Sequence, residues 1–150
     1  MKKILLYLLP LFFTHVFAQA PDPDVIAGSW LTASGKAIVK IYKEGNVYNG
    51  RITWLKNPLY DDGKPKVDKN NPDEKQRTNP LMGLNLLKGF VFKNGQWEGG
   101  TIYDPENGKT YSCRIRYREG MLDLRGYVGI TLVGRTQTWY KAESNKTNKP

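Results

Sequence analysis

Between Lys109 and Arg118 apolar and polar residues alternate: Tyr111, Cys113, Ile115 and Tyr117 share one side, and Thr110, Ser112, Arg114, Arg116 and Arg118 share the other. A period of two is that of a β-strand with one face on a core and one in water. The next stretch, Met121–Val128, repeats it, with Leu122, Leu124 and Val128 opposite Asp123, Arg125 and Tyr127. Ala27–Ser34, Ala37–Lys43, Val47–Leu55, Leu84–Lys93, Gln96–Asp104 and Leu132–Lys141 read as further strands. Turn residues punctuate them at Gly35, Glu44-Gly45-Asn46, Asn94-Gly95, Pro105-Glu106-Asn107-Gly108 and Glu119-Gly120. Asn-Gly in particular prefers the positive dihedrals of a tight hairpin.

Eight short strands joined mostly by hairpins describe a meander, and a meander of that count closes into an up-and-down antiparallel barrel that removes its own edges. The expectation is therefore an all-β, eight-stranded barrel, with a two-sheet sandwich as the alternative. Glycines within strands (Gly50, Gly99, Gly100, Gly126, Gly134) suit the bends that closing a small barrel requires. One long polar connection, Asn57–Pro80, joins the third and fourth strands and can lie over one end of the barrel as a lid. Within it Asp68, Asn70 and Asp73 offer oxygen ligands of the kind calcium takes, but the spacing is not that of an EF-hand loop. The usual turn chemistry of Asp and Asn is the preferred reading, and no metal or other cofactor is expected.

The first residues change the inventory. Met1-Lys2-Lys3 is a short positive start, Ile4–Phe13 is apolar but too short to cross a bilayer as a helix, and Val16-x-Ala18 supplies small residues for cleavage. Residues 1–18 thus read as a signal peptide cut before Gln19, 19–141 as the barrel domain and 142–150 as a disordered polar tail. A second cut, after Ala20, would place Pro21 beyond the scissile bond and is disfavoured. Export is expected to the periplasm first and the extracellular space second, with no transmembrane segment in the mature chain.

His15, the only histidine, leaves with the leader. Ser-His-Asp and Cys-His catalysis, and every histidine-containing metal site, leave with it. Cys113 alone cannot form an internal disulfide, and its position on the core face marks it as a small hydrophobe. Losing Lys2 and Lys3 from 23 basic residues set against 14 acidic ones leaves a net charge of +7. The basic residues are spread along the chain without a nucleic-acid motif, so no nucleic-acid partner is expected.

Gly28-Ser29-Trp30 resembles the Gly-x-Trp signature that opens lipocalin-type barrels. In those folds an arginine near the last strand packs across the tryptophan and seals the floor, which implies Gly28, Trp30 and Arg135 here. A wider set of motifs runs through Gly50-Arg51-Ile52-x-Trp54-Leu55-Lys56, Asn70-Asn71-Pro72-Asp73 and Pro80-Leu81-x-Gly83-Leu84. It continues through Trp97-Glu98-Gly99-Gly100-x-Ile102-Tyr103-Asp104-Pro105, Gly108–Cys113, Arg125-Gly126-Tyr127-x-Gly129 and Gly134–Trp139. Together these resemble the bacterial exported family known as domain of unknown function 2147. The resemblance implies a lipocalin-like barrel and export, and it brings no activity, ligand or catalytic residue.

Arginines and aromatics recur together, and on a barrel lining they could grip an anion while stacking on an apolar portion. The candidate ligand-binding residues are Arg51, Trp54, Trp97, Tyr103, Arg125, Arg135 and Trp139. Strict alternation cannot turn all of them inward, and aromatics in the core with arginines laid over them is the simpler arrangement. Three functions follow in order: a binding barrel for a small amphipathic or anionic molecule, a structural or partner-binding envelope protein with a filled barrel, and a carboxylate-dependent hydrolase. For the last, Glu98, Asp104 and Asp123 are available, no catalytic residue is assigned, and an enzyme is the least expected outcome.

Overall fold

The structure, a computed structural model, describes residues 21–127 and 134–142. The leader, the rest of the tail and the inner ends of the seventh and eighth expected strands lie outside these residues.

Eight antiparallel strands form one closed barrel in chain order, with the last returning to pair with the first. They are β1 (Gly28–Leu31), β2 (Ala37–Glu44), β3 (Val47–Leu55), β4 (Asn85–Lys93), β5 (Gln96–Asp104), β6 (Lys109–Arg118), β7 (Met121–Tyr127) and β8 (Thr136–Lys141). The barrel, not the sandwich, is the solution. The Asn94-Gly95 and Glu119-Gly120 loops have positive φ at both residues (53° and 76°, 51° and 80°), the geometry whose twist matches the flanking strands. β1 is shorter than the pattern implies, because Thr32 leaves the ladder to accept from the Gly35 amide at 2.8 Å and turn the chain.

Inward residues fill the lower barrel. Trp30, Trp97, Trp139, Phe90, Ile41, Ile115 and Leu122 are each at most 2 % exposed. Two glycines make room for this. A β-carbon at Gly100 would come within 2.4 Å of the Phe90 ring, and one at Gly50 within 3.0 Å of Leu87. Each missing side chain is thus replaced by a neighbour's from the next strand.

One end is plugged by a short 3-10 turn, Pro23–Ile26, capped by Asp22 and with Ile26 completely buried. The residues just before the first strand, Pro23–Ile26, are therefore the floor of the barrel. The other end, the mouth, carries the β1–β2 and β5–β6 turns and the long β3–β4 connection.

That connection is fastened down rather than free to act as a lid. The register pairs Leu87 with Ile102, so Leu86 and Tyr103 stand beside each other on the outer side of the wall. Leu86 is nonetheless buried, and the Tyr103 hydroxyl reaches Asp68 in the loop at 2.7 Å. At the rim the Asn70 amide donates to the carbonyls of Pro105 and Glu106 at 3.0 and 2.9 Å. Gly108 lies so close to the Asn70 carbonyl that a β-carbon there would fall 1.9 Å from it.

Candidate functional site

The floor is built from tryptophans whose polar atoms are satisfied by the 3-10 turn. Trp30 Nε1 donates to the Ile26 carbonyl at 2.8 Å, and Trp97 Nε1 donates to the Pro23 carbonyl at 3.1 Å. Phe92 and Tyr48 pack on Trp97, with ring centroids 4.9 and 6.4 Å away. Asp24 accepts from the Tyr48 hydroxyl and, at 2.9 Å, from Lys43. The Tyr48 hydrogen bond first, and Lys43 with it, hold the Asp24 carboxyl below the usual carboxylate range. Burial, and then Asp24, push Tyr48 up.

The cation on Trp30 is not Arg135. Lys141, the register partner of Trp30, places Nζ 5.1 Å from the ring centroid. Arg135 precedes β8 and is exposed at the mouth, the opposite end of the barrel from Trp30. Gly28 fits beneath this cap with φ of 136°, its missing side chain facing the end of Lys141.

The third buried indole differs from the other two. Trp139 faces Leu122 inside the barrel and is 2 % exposed, yet its Nε1 has no acceptor among the described residues. Two residues toward the mouth on the same face, Gln137 is exposed although its partner Leu124 is buried. Tyr111 and its partner Ile102 are half-buried on the inward face, whereas Cys113, two residues further from the mouth, is covered completely. The lining therefore meets solvent at this end. Burial pushes the Cys113 thiol up to about 12, so it is held protonated and unreactive.

The remaining candidates do not converge. Arg51 lies on the outer wall, its guanidinium 5.3 Å from the Tyr42 ring. A bulge at Thr53 pairs Trp54 with Ile38, on the face opposite Val39 and Ile52, so Trp54 also faces outward. Trp97 belongs to the floor and Tyr103 to the loop anchorage. Arg125 is on the outer wall, directly across from Arg114.

Asp68, Asn70 and Asp73 each have separate protein partners. Asp68 accepts from Tyr103 and from Asn71, Asn70 holds the rim, and Asp73 caps the 3-10 turn Glu74–Gln76. Among the carboxylates, Glu98 accepts from Gln96, Asp104 holds its own turn through the Glu106 amide, and Asp123 binds Arg118 and Thr138. Sequence reasoning missed Lys141, Asp24 and the Arg114–Arg125 juxtaposition. The last was within reach, because counting back from the Glu119-Gly120 turn sets the register.

A closed up-and-down barrel of eight strands, floored by a 3-10 turn under a Gly-x-Trp tryptophan, defines a lipocalin-like protein. The chain belongs to the family of uncharacterized proteins conserved in bacteria, DUF2147, whose model matches residues 28–141. Protein HP1028 from the human pathogen Helicobacter pylori, described as belonging to the lipocalin family, has a similar solved structure. It shares 22 % sequence identity, with 81 % of this chain and 85 % of that chain covered and a TM-score of 0.68. At that identity the likeness is one of fold. No curated protein matches.

Proposed function

We propose that this is an exported binding barrel that takes a small amphipathic or anionic molecule at its mouth, in the periplasm. The observation that carries the reading is Trp139: of three buried indoles, two have carbonyl acceptors and the third has none among the described residues. A buried donor left unpaired costs about 1–3 kcal/mol, so such groups are normally met by water or a ligand. Eight-stranded barrels of this size can hold one small ligand. Solvent-accessible Gln137 and half-buried Tyr111 and Ile102 supply a mixed lining, and Arg135 at the mouth supplies a positive charge for an acidic end. The charged start, apolar run and small-residue finish of the first eighteen residues support export.

Native mass spectrometry of the protein purified from its own envelope tests this. A retained small molecule is expected, with its occupancy reduced in Trp139→Phe. Repeated absence of any adduct sinks the binding reading. Amino-terminal sequencing of the same material is expected to begin at Gln19, and a chain retaining Met1 overturns export.

A second reading, an envelope protein that works through its surface, is favoured by the close packing of Phe90 over Gly100 and Leu87 over Gly50. It predicts no adduct on wild type.

A further inference from the structure

On the outer wall β6, β7 and β8 form an open pocket of about 110 Å³ lined by Arg114, Arg116, Asp123, Arg125 and Thr136. Its composition is unusual for a sheet surface. Arg114 stands directly opposite Arg125 in the register, on the same face, and like charges in that position repel. Arg116 stands opposite Asp123, the pairing that would ordinarily neutralise the patch. That carboxylate is engaged elsewhere. One oxygen takes Nε and Nη2 of Arg118 at 3.2 Å each, and the other takes the Thr138 hydroxyl at 2.8 Å.

Arg116 spends its Nε on the neutral oxygen of Gln96 at 3.0 Å, and meets Glu98 only through that amide. Among the described residues neither Arg114 nor Arg116 forms an ion pair. Three arginines thus line a pocket whose one acid is turned to a fourth arginine. Ligand pockets for whole small molecules run to about 300–1,000 Å³, so this one is sized for a single anionic group. Planar guanidinium forks match the oxygens of phosphate, and a mature chain with a net charge of +7 draws anions toward it.

We infer that the Arg114–Arg116–Arg125 pocket is a binding site for a phosphoryl group. The group is carried either by a soluble phosphate ester or by an anionic lipid headgroup. It sits between the opposed arginines and relieves their repulsion.

The test uses the purified chain and two probes, glycerol phosphate in solution and phosphatidylcholine vesicles containing phosphatidylglycerol, with pure phosphatidylcholine vesicles as the blank. Arg114→Gln with Arg116→Gln is compared with a charge-matched control on the far wall, Lys40→Gln with Arg51→Gln. Loss of two surface cations at the site is expected to weaken binding about tenfold or more, with the control close to wild type. Binding of glycerol phosphate assigns the site to soluble esters, and binding of the vesicles alone assigns it to a membrane surface.

No binding of either probe, or equal loss in the control pair, overturns the inference. Thermal unfolding gives a second reading. Arg114→Gln is expected to melt higher than wild type in phosphate-free buffer and to lose the rise that glycerol phosphate gives wild type. Should the double variant fail to fold, Arg116→Gln alone, on an exposed side chain, carries the comparison.

Discussion

The hydroxyl of Tyr103 donates to Asp68 at 2.7 Å, joining the outer face of β5 to the middle of a loop 35 residues earlier. Asp68 is the only buried charged residue among the described residues, and its other carboxylate oxygen takes the Asn71 amide at 2.7 Å. Removing the tyrosine hydroxyl leaves one buried oxygen without its donor. Tyr103→Phe is expected to cost about 1–3 kcal/mol in urea unfolding. It should also release the loop, read as faster amide exchange at Asp68, whose N–H bonds the Asn79 carbonyl. Unchanged exchange there would show that the bond does not fasten the loop.

The same pair sets an alkaline dependence. Burial, and then the Asp68 carboxylate, hold the Tyr103 proton well above the usual tyrosine range. A group with a raised folded pKa contributes stability that is complete below its unfolded pKa, about 10 for tyrosine, and lost as pH rises through the folded value. Wild type should therefore lose stability above about pH 10 more steeply than Tyr103→Phe. Tyr48, also raised, is common to both proteins and cancels in the difference.

At the floor the sign is reversed. The Asp24 carboxyl is lowered by Tyr48 first and Lys43 second, so its contribution is complete above the unfolded pKa, near 3.9, and lost as pH falls through the folded value. Acid titration of stability should show wild type ahead of Asp24→Asn at neutral pH and the two converging below about pH 4. A constant gap across that range would remove Asp24 ionisation from the floor.

Lys141→Met keeps the alkyl stem over Trp30 and removes the charge. The expected loss is about 0.5–1 kcal/mol, the scale of an exposed cation–π contact. Arg135→Ala should stay within about 0.5 kcal/mol of wild type, as surface changes do. Equilibrium unfolding of the two variants side by side decides which residue seals the floor.

Gly100→Ala drives a methyl into the Phe90 ring, and overpacking of this kind costs about 1–3 kcal/mol. The double variant Gly100→Ala/Phe90→Leu should be less destabilised than the sum of its parts, because the smaller side chain vacates the same space. Additive losses in a double-mutant cycle would mean that the glycine is needed for its backbone instead.

Alternation placed the strands because one face of each is in the core, and the β6 and β7 arginines were legible for the same reason. Their meeting required the register, which single-strand periodicity does not contain. Trp54 was misplaced because one extra residue, Thr53, reverses the parity beyond it. The 3-10 turn was missed because four residues have no measurable period, although Asp22 before Pro23 is a start signal in its own right. Asp68 gave no local sign at all. Its burial depends on a tyrosine on another strand, a long-range contact that turn chemistry conceals.

Closure of the barrel rests on two register pairs, Trp30 with Lys141 and Leu31 with Tyr140, plus the bond from the Ala142 amide to the Ser29 carbonyl at 2.9 Å. Every other ladder joins strands that follow one another in the chain. The molecule is therefore a zip with one late fastener, whose two halves arrive at opposite ends of synthesis. A nascent chain that stops short of Thr136 presents bare edges on β1 and β7 and must wait or find another strand. Damage to this seam should register first as self-association, seen by light scattering, while the hairpins that make up the rest of the wall remain intact.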